Sequence, residues 1–283
     1  MLDNINHIIQ KEMGIIPEKI QPLSGGDINQ VYHCIIKKKE VVIKLNIANK
    51  YPKMFEKESK GLQLLSASKF KIPLPIANGK YENHDYLILE YIKPGKEINW
   101  EKFGENLANL HQITNENFGL DYDNYIGSLY QKNSFENTWE GFYCNNRLLF
   151  LIEKARDLKL LTKYECDKVE KLCNQLNSLL PKTSPSLIHG DLWSGNLICD
   201  LENNPVLIDP AVYYGHPEMD WAMLCLFGNY PNIAFEKYNE IIKLEPGFNE
   251  RKELHQLYPL LVHLILFGNS YYSSVMNIIT KYN

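Results

Sequence analysis

The chain has 283 residues, of which 45% are hydrophobic and 23% charged, a balance that excludes a disordered or fibrous protein. Its formal net charge of −4 at pH 7 provides no basic footprint for nucleic acid or for an anionic membrane. Six scattered cysteines without a C-x-x-C pair favour reduced thiols over a disulfide frame or a zinc site. The longest apolar run, residues 257–268, is too short to span a bilayer. We therefore expect a soluble, cytoplasmic protein that is a monomer.

The first quarter of the chain is predicted to form a small antiparallel sheet with one helix. The stretches KIQPL, QVYHCIIK and EVVIKLN indicate a three-stranded meander, with the segment SGGDIN between the first two strands. Residues 53–66 have helical periodicity. A proline-rich connection, IPLPIANGK, leads into DYLILEYI, which has the composition of a buried strand.

Residues 93–99, KPGKEIN, combine proline, glycine and a drop in hydrophobicity, and they predict a hinge. Beyond this hinge the periodicity is helical, except at 186–209, where short apolar strands surround loops. Helices are predicted at roughly 100–113, 136–158, 162–179, 217–228, 231–243 and 250–280. The expected fold is therefore α+β and bilobal. A small β-rich nucleotide-binding lobe occupies 1–92, and a larger, mostly helical catalytic and substrate-binding lobe occupies 93–283.

Two charged residues stand inside apolar patterns of the first lobe. Lys44 lies within VVIKL, and Glu58 falls on the apolar stripe of its predicted helix, four residues after Met54 and four before Leu62. Taken singly, Lys44 fits an edge-strand lysine facing water and Glu58 a boundary residue. A buried carboxylate is costly unless it is paired, however, and each residue would satisfy the other. Together they predict the lysine–glutamate pair that positions nucleotide phosphates in kinases.

The stretch LIHGDLWSGNLICD, residues 187–200, carries the spacing of a catalytic loop. Asp191 and Asn196 are five residues apart, and Asp209 follows 13 residues later at the end of an apolar strand. One carboxylate can accept a hydroxyl proton, while an amide and a second carboxylate hold a metal ion. Each residue alone fits ordinary turn chemistry. The three residues at these two spacings together predict phosphoryl transfer.

The segment SGGDIN lies upstream of Lys44. Its two glycines let backbone N–H groups approach a phosphate closely. The segment opens no helix, so it is not a Walker A loop, and a plain hairpin turn is the alternative. Its position favours a nucleotide-binding role for Gly25, Gly26, Asp27 and Ile28.

Several stretches match one family of small-molecule kinases in the same order along the chain. HGDLWSGN, IDPAVYYGHPEMDWAM and LFG are the more specific ones, and GGDINQVY, VVIKLN, MFEKESKGLQLL, IPLP and LILEYI accompany them. On these stretches the chain resembles the fructosamine kinase (ketosamine-3-kinase) family over nearly its whole length. The resemblance implies a protein-kinase-like fold of the aminoglycoside and choline kinase type.

The resemblance also implies roles for the charged residues of the first lobe and for the residues of the predicted catalytic loop. It makes Asp191 the catalytic base and makes Asn196 and Asp209 the ligands of Mg²⁺. Lys44 would bind the α- and β-phosphates of ATP, and Glu58 would hold Lys44 in place.

Further roles follow from the same resemblance. The backbone of Glu90, Tyr91 and Ile92 would form the lobe hinge that pairs with adenine. Many members carry a cysteine in the glycine-rich loop, where this chain has Asp27. The nearest thiol, Cys34, falls on the following strand, which puts thiol control through that loop in doubt.

Two residues are expected to contact the substrate, and three others to serve the structure. Trp193 stands between the base and the metal ligand, where it would be a flat wall for a sugar. Trp193 and His216 are the substrate residues, with a structural role as the alternative for both. Asp220 would brace the catalytic loop or act as a first-turn helix carboxylate. His189 is expected to pack and hydrogen-bond within the loop, and His111 to face the core.

The predicted function is ATP-dependent phosphorylation of the 3-hydroxyl of ketosamines on free or protein amines, leading to deglycation. The expected substrates are ribulosamines or erythrulosamines in preference to fructosamines. A kinase for another small hydroxyl substrate, such as an aminoglycoside or an amino alcohol, is the alternative. A non-catalytic nucleotide-binding protein is an alternative of another class. The complete set of five predicted catalytic and nucleotide-site residues argues against it.

Overall fold

The computed structural model describes residues 1–23, 28–228 and 230–283. The chain divides into two compact units, and each of them is built from two segments of sequence. Unit 1 comprises Met1–Asn99 and Gly195–Pro210, and unit 2 comprises Trp100–Ser194 and Ala211–Asn283. Within the described ranges, none of the helices is both long enough and apolar enough to cross a membrane.

Unit 1 is built on a five-stranded antiparallel sheet with the strand order β1-β2-β3-β5-β4. The third strand is therefore central, and it pairs along its length with a neighbour on each side. One helix follows that central strand and packs against the fourth and fifth strands. The strands are β1 (Lys19–Pro22), β2 (Gln30–Ile36), β3 (Lys39–Ile47), β4 (Pro75–Tyr81) and β5 (His84–Glu90), and the helix is α2 (Met54–Leu65).

An N-terminal helix, α1 (Leu2–Met13), covers part of this sheet. Ile5, Ile8 and Ile9 recur at the spacing of one helical face, and all three are buried. They belong to one apolar cluster with buried side chains of β2, β3 and β5. The helix ends at Gly14, whose φ of 72° is the left-handed conformation that glycine adopts without a steric penalty.

The second segment of unit 1 is a hairpin of β9 (Leu197–Cys199) and β10 (Pro205–Leu207). Bridges join Pro94 to Asp200 and Lys71 to Val206, so the hairpin is bound to the first segment of the unit. Gly95 permits the close approach, because a Cβ there would lie 2.0 Å from the backbone oxygen of Asp200. These backbone contacts explain why 195–210 belongs to unit 1.

Unit 2 is mainly helical. A π-helical segment, Tyr143–Leu149, continues one of its helices, and two short pairs of antiparallel strands complete the unit. The helices are α3 (Trp100–His111), α4 (Trp139–Phe142), α5 (Phe150–Asp157), α6 (Lys163–Cys173), α7 (Leu176–Leu179), α8 (Glu218–Leu226), α9 (Asn232–Ile241), α10 (Phe248–Phe267) and α11 (Tyr272–Lys281). The strands are β6 (Asn124–Ile126), β7 (Leu129–Gln131), β8 (Ser186–Ile188) and β11 (Tyr213–Gly215), paired β6 with β7 and β8 with β11.

Two helix pairs form the frame of unit 2. Helix α3 packs against α9, where Gly104 allows contact because a Cβ would lie 2.1 Å from the carbonyl oxygen of Ala234. Helix α8 packs against α10 and is apolar on nearly every side, with Trp221 fully buried. Helix α8 follows β11, the partner of β8, so it lies next to the segment that precedes the predicted catalytic loop.

The α+β, protein-kinase-like fold class is confirmed, with four differences in detail. The proline-rich connection contains β4, and α1 was not predicted. The long helix predicted at 250–280 is two helices, which separate at Gly268 with φ 81°. The predicted boundary at residues 92 and 93 also differs from the division of the structure, in which unit 1 continues to Asn99 and regains 195–210.

Candidate active site

The central strand of unit 1 brings Lys44 to two carboxylates. Lys44 lies on β3, opposite Val31 on one side and Leu87 on the other. Its Nζ donates to Glu58 Oε1 at 2.7 Å and also forms an ion pair with Asp209 Oδ1. Because β3 is not an edge strand, the alternative of a solvent-facing lysine is excluded, and Lys44 is 6% exposed.

Burial and charge act on this group in opposite directions. Burial alone would lower the pKa of Lys44, but the charges of Asp209 and Glu58 outweigh it and raise the pKa. For Glu58, burial raises the pKa, and the neighbouring Lys44 opposes this shift only in part. We take the ammonium as charged at neutral pH, since two carboxylates contact it directly. The group is a buried cation held by side-chain charge.

Asp209 follows β10 in a strained conformation. Its φ is 54°, in the left-handed region, and a proline follows it. A residue before proline is normally extended, so this conformation has a cost that the surrounding contacts must offset. The backbone N–H of Ile208 donates to the carbonyl of Asn196 at 3.1 Å, which fastens the end of β10 to the start of β9. Asn196 and Asp209 are thus joined through backbone within unit 1.

The predicted catalytic loop of unit 2 is braced by a buried carboxylate on α8. Asp220 accepts the backbone N–H of His189 at 2.8 Å and that of Gly190 at 3.0 Å. It also contacts His111 Nε2 at 3.3 Å. Asp220 both braces the loop and lies in the first turn of α8, so the two alternatives predicted for it are compatible. His111 is 1% exposed, as expected of a core-facing histidine.

Backbone geometry sets the turn that carries Asp191. Gly190 has φ 79°, and a Cβ there would lie 2.2 Å from the carbonyl oxygen of Ala211. The N–H of Asp191 donates to His189 Nδ1 at 3.3 Å, so the histidine hydrogen-bonds within the loop as predicted. Only glycine fits at position 190. The loop conformation therefore depends on the backbone of Gly190 and on the carboxylate of Asp220.

Trp193 and Ser194 are the last residues of the predicted catalytic loop within unit 2. The Trp193 side chain is 38% exposed, which leaves much of the indole open to solvent. Ser194 Oγ donates to the carbonyl of Phe227, just beyond α8, at 3.1 Å. A surface position is compatible with a wall for a sugar and is not that of a fully buried core tryptophan.

The segment predicted to pair with adenine, residues 90–92, begins at the last residue of β5. The N–H of Glu90 donates to the carbonyl of Leu74 at 2.9 Å, and that of Tyr91 to the carbonyl of Glu40 at 3.3 Å. The ring of Tyr91 stacks on His33 at 3.9 Å between centroids. Two of the three predicted hinge amides are thus used inside unit 1. Gly25, Gly26 and Asp27, which the sequence predicts to bind nucleotide, lie outside the described residues. Ile28 is the first described residue after them and is half-buried.

His216 lies between β11 and α8, in a buried cluster with side chains of α8 and α10. It is 3% exposed, and its Nδ1 accepts the N–H of Glu218 at 3.1 Å. Burial and the neighbouring His255 lower the pKa of His216 to about 3. Burial would raise the pKa of Glu218, but hydrogen bonds from His255 and Arg251 lower it to about 2. A substrate role for His216 stays a prediction, and its burial restricts such a role to an indirect one.

The same cluster has the donor types of a metal site. One donor atom from each of His216, Glu218 and His255 lies within 4.8 Å of the others. However, Arg251 Nε donates to Glu218 at 2.9 Å, so a cation already neutralises the only carboxylate. A divalent ion would add charge to a buried group that is balanced without it. The cluster is therefore a structural ion-pair network, and sequence spacing gave no signal for it.

The ion pair between Lys44 and Asp209 was not indicated by the sequence. The pairing of Lys44 with Asp209 joins positions far apart in the chain, whereas the helical period had pointed only to Glu58. Oxygen donors suited to a hard cation are present in Asn196 and Asp209, and the Asp209 side chain is 44% exposed. These two residues fit Mg²⁺ by donor type.

Comparisons with known proteins give one consistent match. The fructosamine kinase family matches residues 1–283. An Enterococcus faecium protein provisionally assigned as a ketoamine kinase is 39% identical over 266 residues, covering 93% of this chain and 95% of that protein. A chloroplastic protein-ribulosamine 3-kinase of Arabidopsis thaliana is 34% identical over 271 residues, covering 93% of this chain and 82% of that protein.

Solved structures agree with this match. A Haemophilus somnus protein provisionally assigned as a fructosamine-3-kinase has a TM-score of 0.89 at 29% identity, over 100% of this chain and 97% of that one. An aminoglycoside phosphotransferase has a TM-score of 0.65 at 14% identity, over 99% of both chains. At that identity the second likeness shows the fold alone.

Proposed function

The chain belongs to the fructosamine kinase family, and from this premise we propose that it transfers the γ-phosphoryl group of ATP to the 3-hydroxyl of a ketosamine. Membership makes it a kinase that uses ATP and acts on a hydroxyl group. The finer substrate class that we propose is the ribulosamines, supported by the relatives named protein-ribulosamine 3-kinase. A cytoplasmic location and a monomeric state stay predictions.

We assign the nucleotide-binding roles to unit 1. The observation that carries the assignment is the buried Lys44 ammonium held by Glu58 and Asp209. An ammonium fixed in this way is a preorganised donor for phosphate oxygens, because its position does not have to be established when the nucleotide binds. The N–H groups of Glu90 and Tyr91 are donated inside the sheet, so an adenine edge would use the N–H of Ile92.

We assign the proton-accepting role to Asp191 in unit 2. Its loop is fixed through the backbone by Asp220, so the Asp191 carboxylate can be directed at an acceptor hydroxyl without being part of the brace. Asn196 and Asp209 would hold Mg²⁺, and both offer the oxygen donors that this ion prefers. When bound, the ion would supply positive charge that stabilises the phosphate oxygens during transfer.

The chemistry of the product explains the value of phosphorylation at this hydroxyl. Loss of a proton from C1 of the 3-phosphate forms a C1=C2 enol, whose electron pair can expel phosphate from C3. The conjugated imine that remains is hydrolysed by water, which releases the amine unmodified and leaves a deoxy-dicarbonyl compound. Phosphate is a far better leaving group than hydroxide, so transfer to O3 prepares the ketosamine for deglycation.

A phosphorylation screen tests the proposal. Ribulose-lysine, erythrulose-lysine and fructose-lysine would each be incubated with enzyme, ATP and Mg²⁺, and the products examined by phosphorus NMR. We expect a C3 phosphate ester, formed fastest with ribulose-lysine. Phosphate on another carbon would contradict the assigned position, and no transfer to any of the three would contradict ketosamine as the acceptor.

A further inference from the structure

Four aromatic side chains of unit 2 form a connected group at the C-terminal end of α10. Phe227 lies against His263 with 4.4 Å between ring centroids. His263 in turn lies 5.3 Å from Phe267 and 5.0 Å from Tyr271. Phe267 and Tyr271 are 6.2 Å apart. We call Phe227, His263, Phe267 and Tyr271 the aromatic cluster.

The aromatic cluster is open to solvent. Phe267 is 53% exposed, and the other three rings are half-buried. A single exposed ring is ordinary on a protein surface, but rings that contact one another and remain accessible form an apolar platform. Ring pairs at these separations attract each other beyond their buried area, so the platform keeps its arrangement without a cover.

The platform is attached to the predicted catalytic loop. Ser194 directly follows Trp193, and its Oγ donates to the carbonyl of Phe227 at 3.1 Å. A Cβ at Gly228 would lie 3.6 Å from the Cβ of Ser194, so the chain on both sides of this hydrogen bond packs on the loop. Phe227 therefore belongs to the aromatic cluster and also accepts a hydrogen bond from the predicted catalytic loop.

His263 is neutral, which favours the binding of a cationic group at the aromatic cluster. Its Nδ1 donates to the carbonyl of Pro259 at 2.7 Å, which leaves Nε2 as the acceptor nitrogen of the neutral ring. Burial lowers the pKa of His263, although the bond to Pro259 opposes the shift. A neutral imidazole beside three phenyl or phenol rings provides aromatic faces and an acceptor and adds no positive charge. Such a surface attracts an ammonium group.

We propose that the aromatic cluster binds the organic substituent on the nitrogen of the ketosamine, while Trp193 contacts the sugar. The proposal deepens the proposed function and rests on it. The nitrogen is bonded to C1, two carbons from the hydroxyl that Asp191 would deprotonate, so its substituent extends away from the reacting atom. Ketosamine nitrogen is a basic amine, and a lysine chain adds four methylenes. The methylenes favour an apolar surface over water, and the ammonium is attracted to the faces of aromatic rings.

The consequence is a preference set by the amine part of the substrate. A ribulosamine of N-acetyl-lysine should have a lower KM than one of methylamine, because only the former reaches the platform. Their kcat values should be similar, since the reacting sugar is identical. Phe267→Ala should raise the KM for the lysine derivative about five- to tenfold and that for the methylamine derivative less than about twofold.

Matched variants separate this effect from a general loss of structure. Phe267→Tyr keeps a ring and should retain the wild-type preference. Tyr164→Ala removes a ring that is 68% exposed on α6, outside the aromatic cluster, and should change neither KM. Equal KM increases for both substrates in Phe267→Ala, or no preference in the wild type, would overturn the proposal.

A binding measurement distinguishes failure of this proposal from failure of the proposed function. Calorimetric titration of the two ribulosamines in the absence of ATP reports affinity without turnover. If the wild type phosphorylates neither compound, the proposed function is wrong. Tighter binding of the lysine derivative that Phe267→Ala abolishes would still support the platform, and equal binding of both derivatives would refute it.

Discussion

Lys44 and Asp191 lie in different units, and the two units fix them in different ways. In unit 1, side-chain charges hold Lys44, with Glu58 and Asp209 as its partners. In unit 2, the buried Asp220 holds the loop through backbone N–H groups, and Asp191 takes no part in that contact. Neutralising a charged partner of Lys44 in unit 1 therefore disturbs structure and function together. In unit 2, a substitution of Asp191 can change function while the structure is retained.

The largest expected effect, and the clearest separation, belongs to Asp191→Ala. Removal of a general base lowers kcat by about 10²- to 10⁴-fold. Nucleotide affinity and melting temperature should stay close to those of the wild type, because Asp220 and Gly190 keep the loop in place. Steady-state kinetics, calorimetric titration with ATP and thermal melting test this expectation. Activity within a few-fold of the wild type would show that the catalytic-loop assignment is wrong.

Asp209→Asn should disturb both properties at once. The change removes a charged metal ligand and one of the two carboxylates that neutralise the buried Lys44. We expect turnover to fall by about 10²-fold, with a higher Mg²⁺ requirement and weaker ATP binding. Melting temperature should also fall, in contrast to Asp191→Ala. An unchanged Mg²⁺ dependence of the rate would argue against Asp209 as a metal ligand.

Asp220→Asn tests the backbone brace directly. In the wild type, each of the two N–H groups, of His189 and Gly190, donates to its own carboxylate oxygen of Asp220. The asparagine amide has only one acceptor oxygen, so one of the two N–H groups loses its partner. The loss of charge-assisted hydrogen bonds at a buried site should cost about 2–4 kcal/mol in the free energy of unfolding. We expect kcat to fall about tenfold with little change in the KM for ATP. Wild-type stability in urea unfolding would contradict the bracing role.

The difference between the regions also explains what the sequence could predict. Glu58 was readable because helical periodicity places a charge on a buried stripe, where burial without a partner is costly. Asp209 as a second partner of Lys44 was not, since 165 residues separate the pair and no local pattern links them. The left-handed φ of Asp209 and the burial of His216 likewise depend on tertiary contacts.

The fold shows the same limit. The meander of β1, β2 and β3 followed from short apolar runs separated by turn residues. The bilobal α+β architecture followed from element order, and the protein-kinase-like fold from the family resemblance. Strand β4 was missed because its proline and glycine disfavour a strand, although pairing with β5 makes it one. Helix α1 did carry a signal, since Ile5, Ile8 and Ile9 fall on one helical face. Tertiary pairing overrode local propensity in the first case only.

A smaller effect is expected from Trp193→Ala, which probes the open side of the loop in unit 2. With a side chain 38% exposed, truncation should leave little cavity, and the melting temperature should stay within a few degrees of wild type. The KM for ribulose-lysine should rise about tenfold, while that for ATP should change little. A large drop in melting temperature with normal ketosamine affinity would instead make the tryptophan a packing residue.

The smallest effect concerns Asp200, a second carboxylate in unit 1 that is held by hydrogen bonds. Burial would raise its pKa, but bonds from Asn204, Lys71 and the backbone N–H of Glu202 lower it to about 2. A depressed pKa stabilises the folded state above the unfolded pKa of about 3.9, and this stability is lost as pH falls toward 2. Asp200→Asn should therefore lower the free energy of unfolding at pH 7 by about 2 kcal/mol.

The pH dependence of this difference in unfolding free energy shows whether Asp200 stabilises the hairpin through its charge or through packing. The gap between Asp200→Asn and wild type should narrow between pH 5 and pH 3 in urea unfolding, as protonation removes the wild-type advantage. Asp157→Asn, at a side chain 72% exposed on α5, provides a control that should follow the wild type throughout. A gap that stays constant with pH would mean that Asp200 stabilises the β9–β10 turn by packing and not by its charge.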